Sequence, residues 1–206
     1  MISIFNNGGP IMWPLLLTSI VALAVVVERL IFAFGEKRSR NREVVHSIFQ
    51  SVESGQIDAA IKLGEKSPDL VARVLAYGLS NRADSLANAL MVSAGEELKR
   101  YKRGLPVLDT VITLAPLLGL LGTITGMIHA FGLLGAQQLG APTEITGGIA
   151  QALIATAFGL GIAITALLPF NYLNSQLDDV RHEIENAATR LEIKLERRRE
   201  SKEGTP

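Results

Sequence analysis

The 206-residue chain is 48% hydrophobic and 19% charged, with a mean hydropathy of +0.30, too apolar for an ordinary soluble domain. A formal net charge of zero and the lack of an aromatic-basic patch argue against nucleic acid as a partner. Cysteine is absent, which excludes disulfides and thiolate chemistry, and His46, His129 and His182 are the only histidines, so neither a metal site nor a cofactor is expected.

The charges are segregated. They lie almost wholly in 36–103 and 175–203, while 10–34, 105–135 and 145–173 hold hardly any. In chain order, residues 1–10 carry no Lys or Arg, so the basic n-region of a cleavable signal is missing and the first apolar run is expected to stay as a span. That run, Ile11 to Phe34, is interrupted only by Glu28 and Arg29 and is long enough to cross about 30 Å of hydrocarbon at roughly 1.5 Å per residue. Glu28 and Arg29 then anchor its inner end.

Residues 35–104 read as a helical insert, with apolar spacing at Val44, Ile48 and Val52, then at Ile57 and Ile61, and a break at Ser67-Pro68. From an N-cap candidate at Asp84, the spacing of Leu86, Leu90, Ala94 and Leu98 predicts a helix that is free to run on into the second span. Glu96 and Glu97, with Lys99 and Arg100, are expected to form ion pairs. The second apolar run covers 105–135, with Asp109 near its start and His129 near its end as its ionisable groups. This exceeds the roughly 20 residues a bilayer needs, so the Asp109 end is expected to project into water. The third run, 145–173, has no ionisable residue, and Gln151 is its most polar member. The tail, 174–206, has Leu177, Ile184, Ala188, Leu191 and Leu195 at helical spacing and extends the third span.

The expected fold is an all-α membrane protein of three transmembrane helices with a cytoplasmic helical insert and extended second and third helices. Orientation follows from the basic residues, which are retained on the cytoplasmic side. Lys37, Arg38, Arg40 and Arg42 follow the first span, Lys99 to Arg103 precede the second, and Arg181 onward follows the third. The N-terminus (1–10) and the loop 136–144 are therefore expected to be periplasmic, and the C-terminus cytoplasmic. The basic run Arg197 to Arg199 reads as a solvated helix end, given the interspersed Glu196 and Glu200.

Small residues recur at intervals of three and four, at Ala115, Gly119, Gly122 and Gly126 in the second span and at Gly148, Ala152, Ala155, Gly159, Ala163 and Ala166 in the third. Lipid offers no hydrophobic drive for helix association, so such faces are built for close backbone approach. Among them sit hydroxyls: Thr123 and Thr125, then Thr156 and Thr165, with Gln151 five residues before Thr156. Spacing leaves two readings open. The hydroxyls line a polar path, or each bonds back to a carbonyl one turn earlier.

The run Ala115-Pro116-Leu117-Leu118-Gly119-Leu120-Leu121-Gly122-Thr123-Ile124-Thr125-Gly126-Met127-Ile128-His129-Ala130-Phe131 resembles the second-span signature of the ExbB/TolQ/MotA proton-channel family. Gly148-Ile149-Ala150-Gln151-Ala152-Leu153-Ile154-Ala155-Thr156-Ala157-Phe158-Gly159-Leu160 resembles its third-span signature. Three spans with a large insert after the first favour the ExbB/TolQ branch. The resemblance implies a homopentamer in the bacterial inner membrane whose second and third spans surround the single helices of an ExbD- or TolR-like dimer, working toward a TonB- or TolA-like protein. It implies Thr123 and Thr156 as pore-facing hydroxyls on a proton path that also takes in Gln151, where many relatives have Glu, while the spacing marks Gly119, Gly122, Gly126, Gly148 and Gly159 as helix-packing positions. The function then expected is that of a motor stator subunit driven by proton-motive force, with a non-conducting membrane scaffold as the alternative.

No catalytic residues are expected. The chain lacks a nucleophile-base pair and a phosphate-binding glycine loop, and its membrane glycines fall at packing intervals.

Overall fold

A computed structural model describes residues 8–136 and 142–203, all of the elements helical: α1 (Met12–Ser39), α2 (Arg42–Glu53), α3 (Ile57–Glu65), α4 (Leu70–Ser80), α5 (Arg82–Lys102), α6 (Leu105–Ala136) and α7 (Pro142–Glu203). Residues 1–7, most of the expected periplasmic N-terminus, and 137–141, within the expected loop 136–144, lie outside the described residues, as do 204–206 of the tail. Three helical stretches are long and apolar enough to cross a membrane: Met12–Ser39, Arg82–Gly132 and Thr146–Arg198. The chain is thus an all-α, multi-pass membrane protein.

Two structural units share these helices. The first is built from 1–30 and 104–173, the second from 31–103 and 174–206, so α1 and α7 contribute to both.

In the first unit α6 and α7 carry apolar residues on every side, as a helix surrounded by lipid or other helices must. Pro106 sits in the first turn of α6, where a missing N–H costs nothing. Pro116 and Pro169 lie inside α6 and α7, which membrane helices tolerate because neighbouring groups re-satisfy the freed carbonyls. The start of α1 packs on this pair through Met12 and Leu15, which cluster with Ala115 and Ala163. Thr18, buried in α1, donates to the Leu15 carbonyl at 2.8 Å, hiding its polarity from lipid. Further along α1, buried Arg29 is paired with the carboxylate of its neighbour Glu28.

The second unit has an apolar core centred on α4, whose Leu70, Ala72, Val74, Leu75 and Leu79 are almost wholly buried. Ile48 and Val52 from α2, Ala60 from α3, and Val180, Ile184, Ala187 and Leu191 from α7 complete it. The tail is therefore part of the core of this unit. Two ion pairs fasten its rim: Arg40 to Glu183 and Lys194 to Glu53. Glu97 binds Arg73 at 3.0 Å and Arg100 at 3.1 Å, so of the four charges expected to pair Glu97 and Arg100 do so, with Arg73 as a further partner.

The helix starts are set by short polar side chains. Asn41 Oδ1 accepts from the N–H groups of Glu43 and Val44 at 3.2 and 3.3 Å to begin α2. Asp69 Oδ1 accepts from Val71 and Ala72 at 2.8 and 3.1 Å to begin α4, and its Oδ2 accepts from the Asn41 N–H at 2.7 Å. One buried carboxylate thereby joins two helix starts.

Two local expectations are revised. The cap of the long part of α5 is Ser85, not Asp84: its backbone is extended (φ −166°, ψ 110°) and its Oγ accepts from the Asn88 N–H at 3.3 Å. The helix also does not run unbroken into the second span. Gly104 adopts φ +81° between α5 and α6, a left-handed conformation that a side chain disfavours. Nearby, the Tyr101 ring meets Phe32 edge to face, centroids 5.3 Å apart, and burial, with the Glu36 carboxylate, pushes its phenol above the usual range.

Candidate functional site: the α6–α7 seam

The small residues of the two spans form one continuous antiparallel seam. A Cβ on Gly159 would lie 2.5 Å from the Ala115 carbonyl oxygen, and one on Gly119 would lie 3.0 Å from Thr156 Cα. Further along, a Cβ on Gly122 would meet Ala155 at 2.6 Å, one on Gly126 would meet Ala152 at 2.8 Å, and one on Gly148 would meet Ala130 at 2.9 Å. Distances below about 3 Å leave no room for a methyl group. The backbones have closed to the limit that hydrogen side chains permit, maximising dispersion contact where hydrophobic drive is missing.

Thr156 departs from its fellow hydroxyls. Its Oγ1 crosses the seam and donates to the Gly119 carbonyl at 2.8 Å. Thr123 donates within its own helix, to Leu120 at 2.7 Å, and Thr125 and Thr165 do likewise, to Leu121 at 2.9 Å and Gly161 at 2.7 Å. Back-bonding thus accounts for three of these four threonines and not for Thr156. Gly119 and Thr123 are four residues apart in α6, so the point where Thr156 touches that helix lies one turn, about 6 Å, from Thr123.

Thr123 is half-buried and opens on a groove of about 650 Å³ lined by Ile124, Met127, Ile128, Phe131 and Gly132. Thr156 is half-buried at the seam. Gln151 is not gathered with them: its amide lies against Gly9, whose φ of +73° and lack of a side chain admit it. The structure therefore brings Thr123 and Thr156 to neighbouring turns and turns Gln151 toward the lead-in to α1. The five glycines all sit in the seam, Gly119 and Gly159 directly against one another.

Electrostatically the seam is empty. Between Val111 and Ile128 in α6, and between Gly147 and Leu173 in α7, there is no Asp, Glu, Lys, Arg or His. Asp109 and His129 flank the α6 stretch, and both are exposed. No group of three or more His, Cys, Asp or Glu able to hold a metal occurs among the described residues. What the seam can do chemically is hydrogen-bond through its hydroxyls; it has no titrating group of its own between Val111 and Ile128 or between Gly147 and Leu173. The buried carboxylate missed by sequence reading is Asp69, although Ser67-Pro68-Asp69 before an apolar helix carried an N-cap signal. Its oxygens are spent on three backbone N–H groups, so its task is structural.

Comparison with known proteins agrees with this arrangement. The sequence profile of the MotA/TolQ/ExbB proton channel family matches residues 66–186. Biopolymer transport protein ExbB-like 1 of Synechocystis is 38% identical over 83% of this chain and 69% of its own length. Biopolymer transport protein ExbB of Neisseria meningitidis serogroup A is 28% identical over 96% of this chain and 98% of its own. The Tol-Pal system protein TolQ of Haemophilus influenzae is 34% identical over 48% of this chain and 43% of its own. The chain belongs to the MotA/TolQ/ExbB proton channel family, as a subunit of the ExbB and Tol-Pal type.

Proposed function

We propose that this chain is the channel-forming stator subunit of an inner-membrane motor, with its N-terminus in the periplasm and its C-terminus in the cytoplasm, and that it conducts protons only together with a single-span partner of the ExbD or TolR kind. Copies of α6 and α7, five in the reading that family resemblance favours, would surround the partner's helices and place Thr123 and Thr156 beside them. The work so driven would pass to a TonB- or TolA-like protein at the cell envelope.

One observation carries this reading: the spans lack any titratable group at mid-depth while two hydroxyls stand on adjacent turns of a tightly packed seam. A proton relay through hydrocarbon needs a group that can bind and release a proton. Since this chain supplies none there, a second polypeptide must. A carboxyl in so apolar a setting resists ionisation, because desolvation opposes the charged form. Each proton passing inward releases about 2.3 kcal/mol per 100 mV, which is the energy available for moving the partner.

The test is reconstitution. Liposomes holding this chain alone should be tight to protons under an imposed potential, and liposomes holding it with its single-span partner should conduct. In cells, Thr156→Val should leave the complex assembled and abolish the work it drives. Proton flux through the chain alone would overturn the division of labour, and normal work by Thr156→Val would remove that residue from the path. A tight complex with no flux under any condition would favour the scaffold reading instead.

A further inference from the structure

We propose that the groove between the α1–α2 corner and α7, within the second unit, binds a phosphate ester, its phosphate held by Lys37, Arg42 and Arg190 and its organic part lying on the apolar lining. The groove encloses about 690 Å³, the size of a small-molecule site and far more than a bare phosphate fills. One wall is the end of α1 with α2, the other is α7, and the start of α4 contributes Asp69 and Val71. The Arg40–Glu183 ion pair joins the two walls, so their spacing is set without a ligand. Val45, Phe49, Val180 and Ala187 supply the apolar lining.

The charges along this groove are not balanced. Arg40 and Glu183 neutralise one another, and Asp69 spends its oxygens on three backbone N–H groups. Among the described residues Lys37, Arg42 and Arg190 have no ion pair, and Asp179 is the one carboxylate of the lining left to oppose them. Three cations against one acid suit a phosphate, which carries about 1.5–2 negative charges at pH 7 when monoesterified. His46 and Asn186 add N–H donors, one on each wall. A phosphate presents three oxygens, enough for arginines on opposite walls together with a lysine, where a carboxylate presents two. Retention of basic residues beside a span accounts for their number here, but not for their meeting across one groove with an apolar lining. The phosphate has two sources with the same chemistry, an anionic lipid headgroup and a soluble ester. The site is independent of proton conduction by the spans.

The experiment uses the full chain in phosphatidylcholine nanodiscs, in two arms. In the first, phenyl phosphate and inorganic phosphate are titrated by calorimetry. In the second, phosphatidylglycerol is mixed into the nanodiscs and the lipid retained per chain is counted by native mass spectrometry. A soluble source should show phenyl phosphate bound about tenfold more tightly than inorganic phosphate, and a lipid source should show phosphatidylglycerol retained in preference to phosphatidylcholine. In whichever arm binds, Arg42→Gln combined with Arg190→Gln should weaken binding about tenfold, and Lys37→Gln alone should weaken it by less. Lys62→Gln combined with Lys66→Gln removes as much charge from residues that do not line the groove and should change nothing. Lys37 lies on α1 and has no ion pair, so if a thermal melt shows the arginine double variant unfolded, Lys37→Gln remains decisive. Equal affinity for the two soluble phosphates with no lipid preference would overturn the ester assignment. No binding in either arm, or a charge-matched control that loses as much as the groove variants, would overturn the site.

Discussion

Asp69 shows how much a single side chain does in the second unit. It is almost wholly buried, and its two oxygens accept from three backbone N–H groups belonging to the starts of α2 and α4. Replacing it with Ala strips the cap of α4, worth about 1 kcal/mol, and removes the part-buried bond from the Asn41 N–H, a hydrogen bond to a charged group worth about 1.5–3 kcal/mol. Asp69→Ala should therefore destabilise the protein by about 2–4 kcal/mol, seen as a lowered thermal midpoint by circular dichroism in detergent. Asp69→Asn keeps one acceptor oxygen and should recover part of the loss. Melting of the Ala variant at the wild-type temperature would show that these bonds contribute nothing net. The same scale exposes what sequence spacing could not provide. Threonines at membrane depth have two kinds of carbonyl within reach, on their own helix and on a neighbour, and only the packed pair reveals that of Thr123, Thr125, Thr156 and Thr165 it is Thr156 that takes the second.

At the scale of helices, the spans were legible because lipid enforces a long apolar run, and the seam was legible because backbone approach demands small residues every three or four positions. The break between α5 and α6 was not. A glycine between Arg103 and Leu105 reads like any residue at the edge of a helical pattern until its φ of +81° is known. Ser85 likewise stands beside Asp84, and both are good caps by type; only the extended backbone at Ser85 separates them. Glycines in α7 also differ in ways their sequence does not show. A Cβ on Gly159 would press on the Ala115 carbonyl at 2.5 Å, while a Cβ on Gly161 would meet nothing within 4 Å. Gly159→Ala should then cost about 1–3 kcal/mol through overpacking, and Gly161→Ala should be neutral or slightly stabilising, since Ala is the better helix former. Thermal melts of the two variants in one detergent give the comparison directly. Equal stability would mean that α6 and α7 part easily, and the seam would lose its standing as the element that sets the position of Thr156.

The whole chain is interleaved: each unit is assembled from two stretches separated in sequence, 1–30 with 104–173 and 31–103 with 174–206. The core of the second unit consequently cannot close until the third span has been made and the tail has followed it. Val180, Ile184, Ala187 and Leu191 of the tail are buried against Ile48, Phe49, Val52 and the α4 residues. Full burial of a Val, Ile or Leu side chain is worth about 1.5–3 kcal/mol, so losing Val180, Ile184 and Leu191 removes an amount comparable to the whole stability of a typical domain, about 5–15 kcal/mol. Truncation after Asn174 leaves all three spans intact in composition and deprives only the second unit. In membrane vesicles opened so that protease reaches both faces, limited proteolysis should leave residues 42–102 protected in the full chain and cut them rapidly in the truncated one. Leu191→Asp, which buries an unpaired charge at a wholly buried position, should reproduce the cutting with the tail still present. A truncated protein whose insert resists protease as well as the full chain would show that α2 to α5 close a core by themselves, and α7 would then be an appendage of that unit instead of one of its walls.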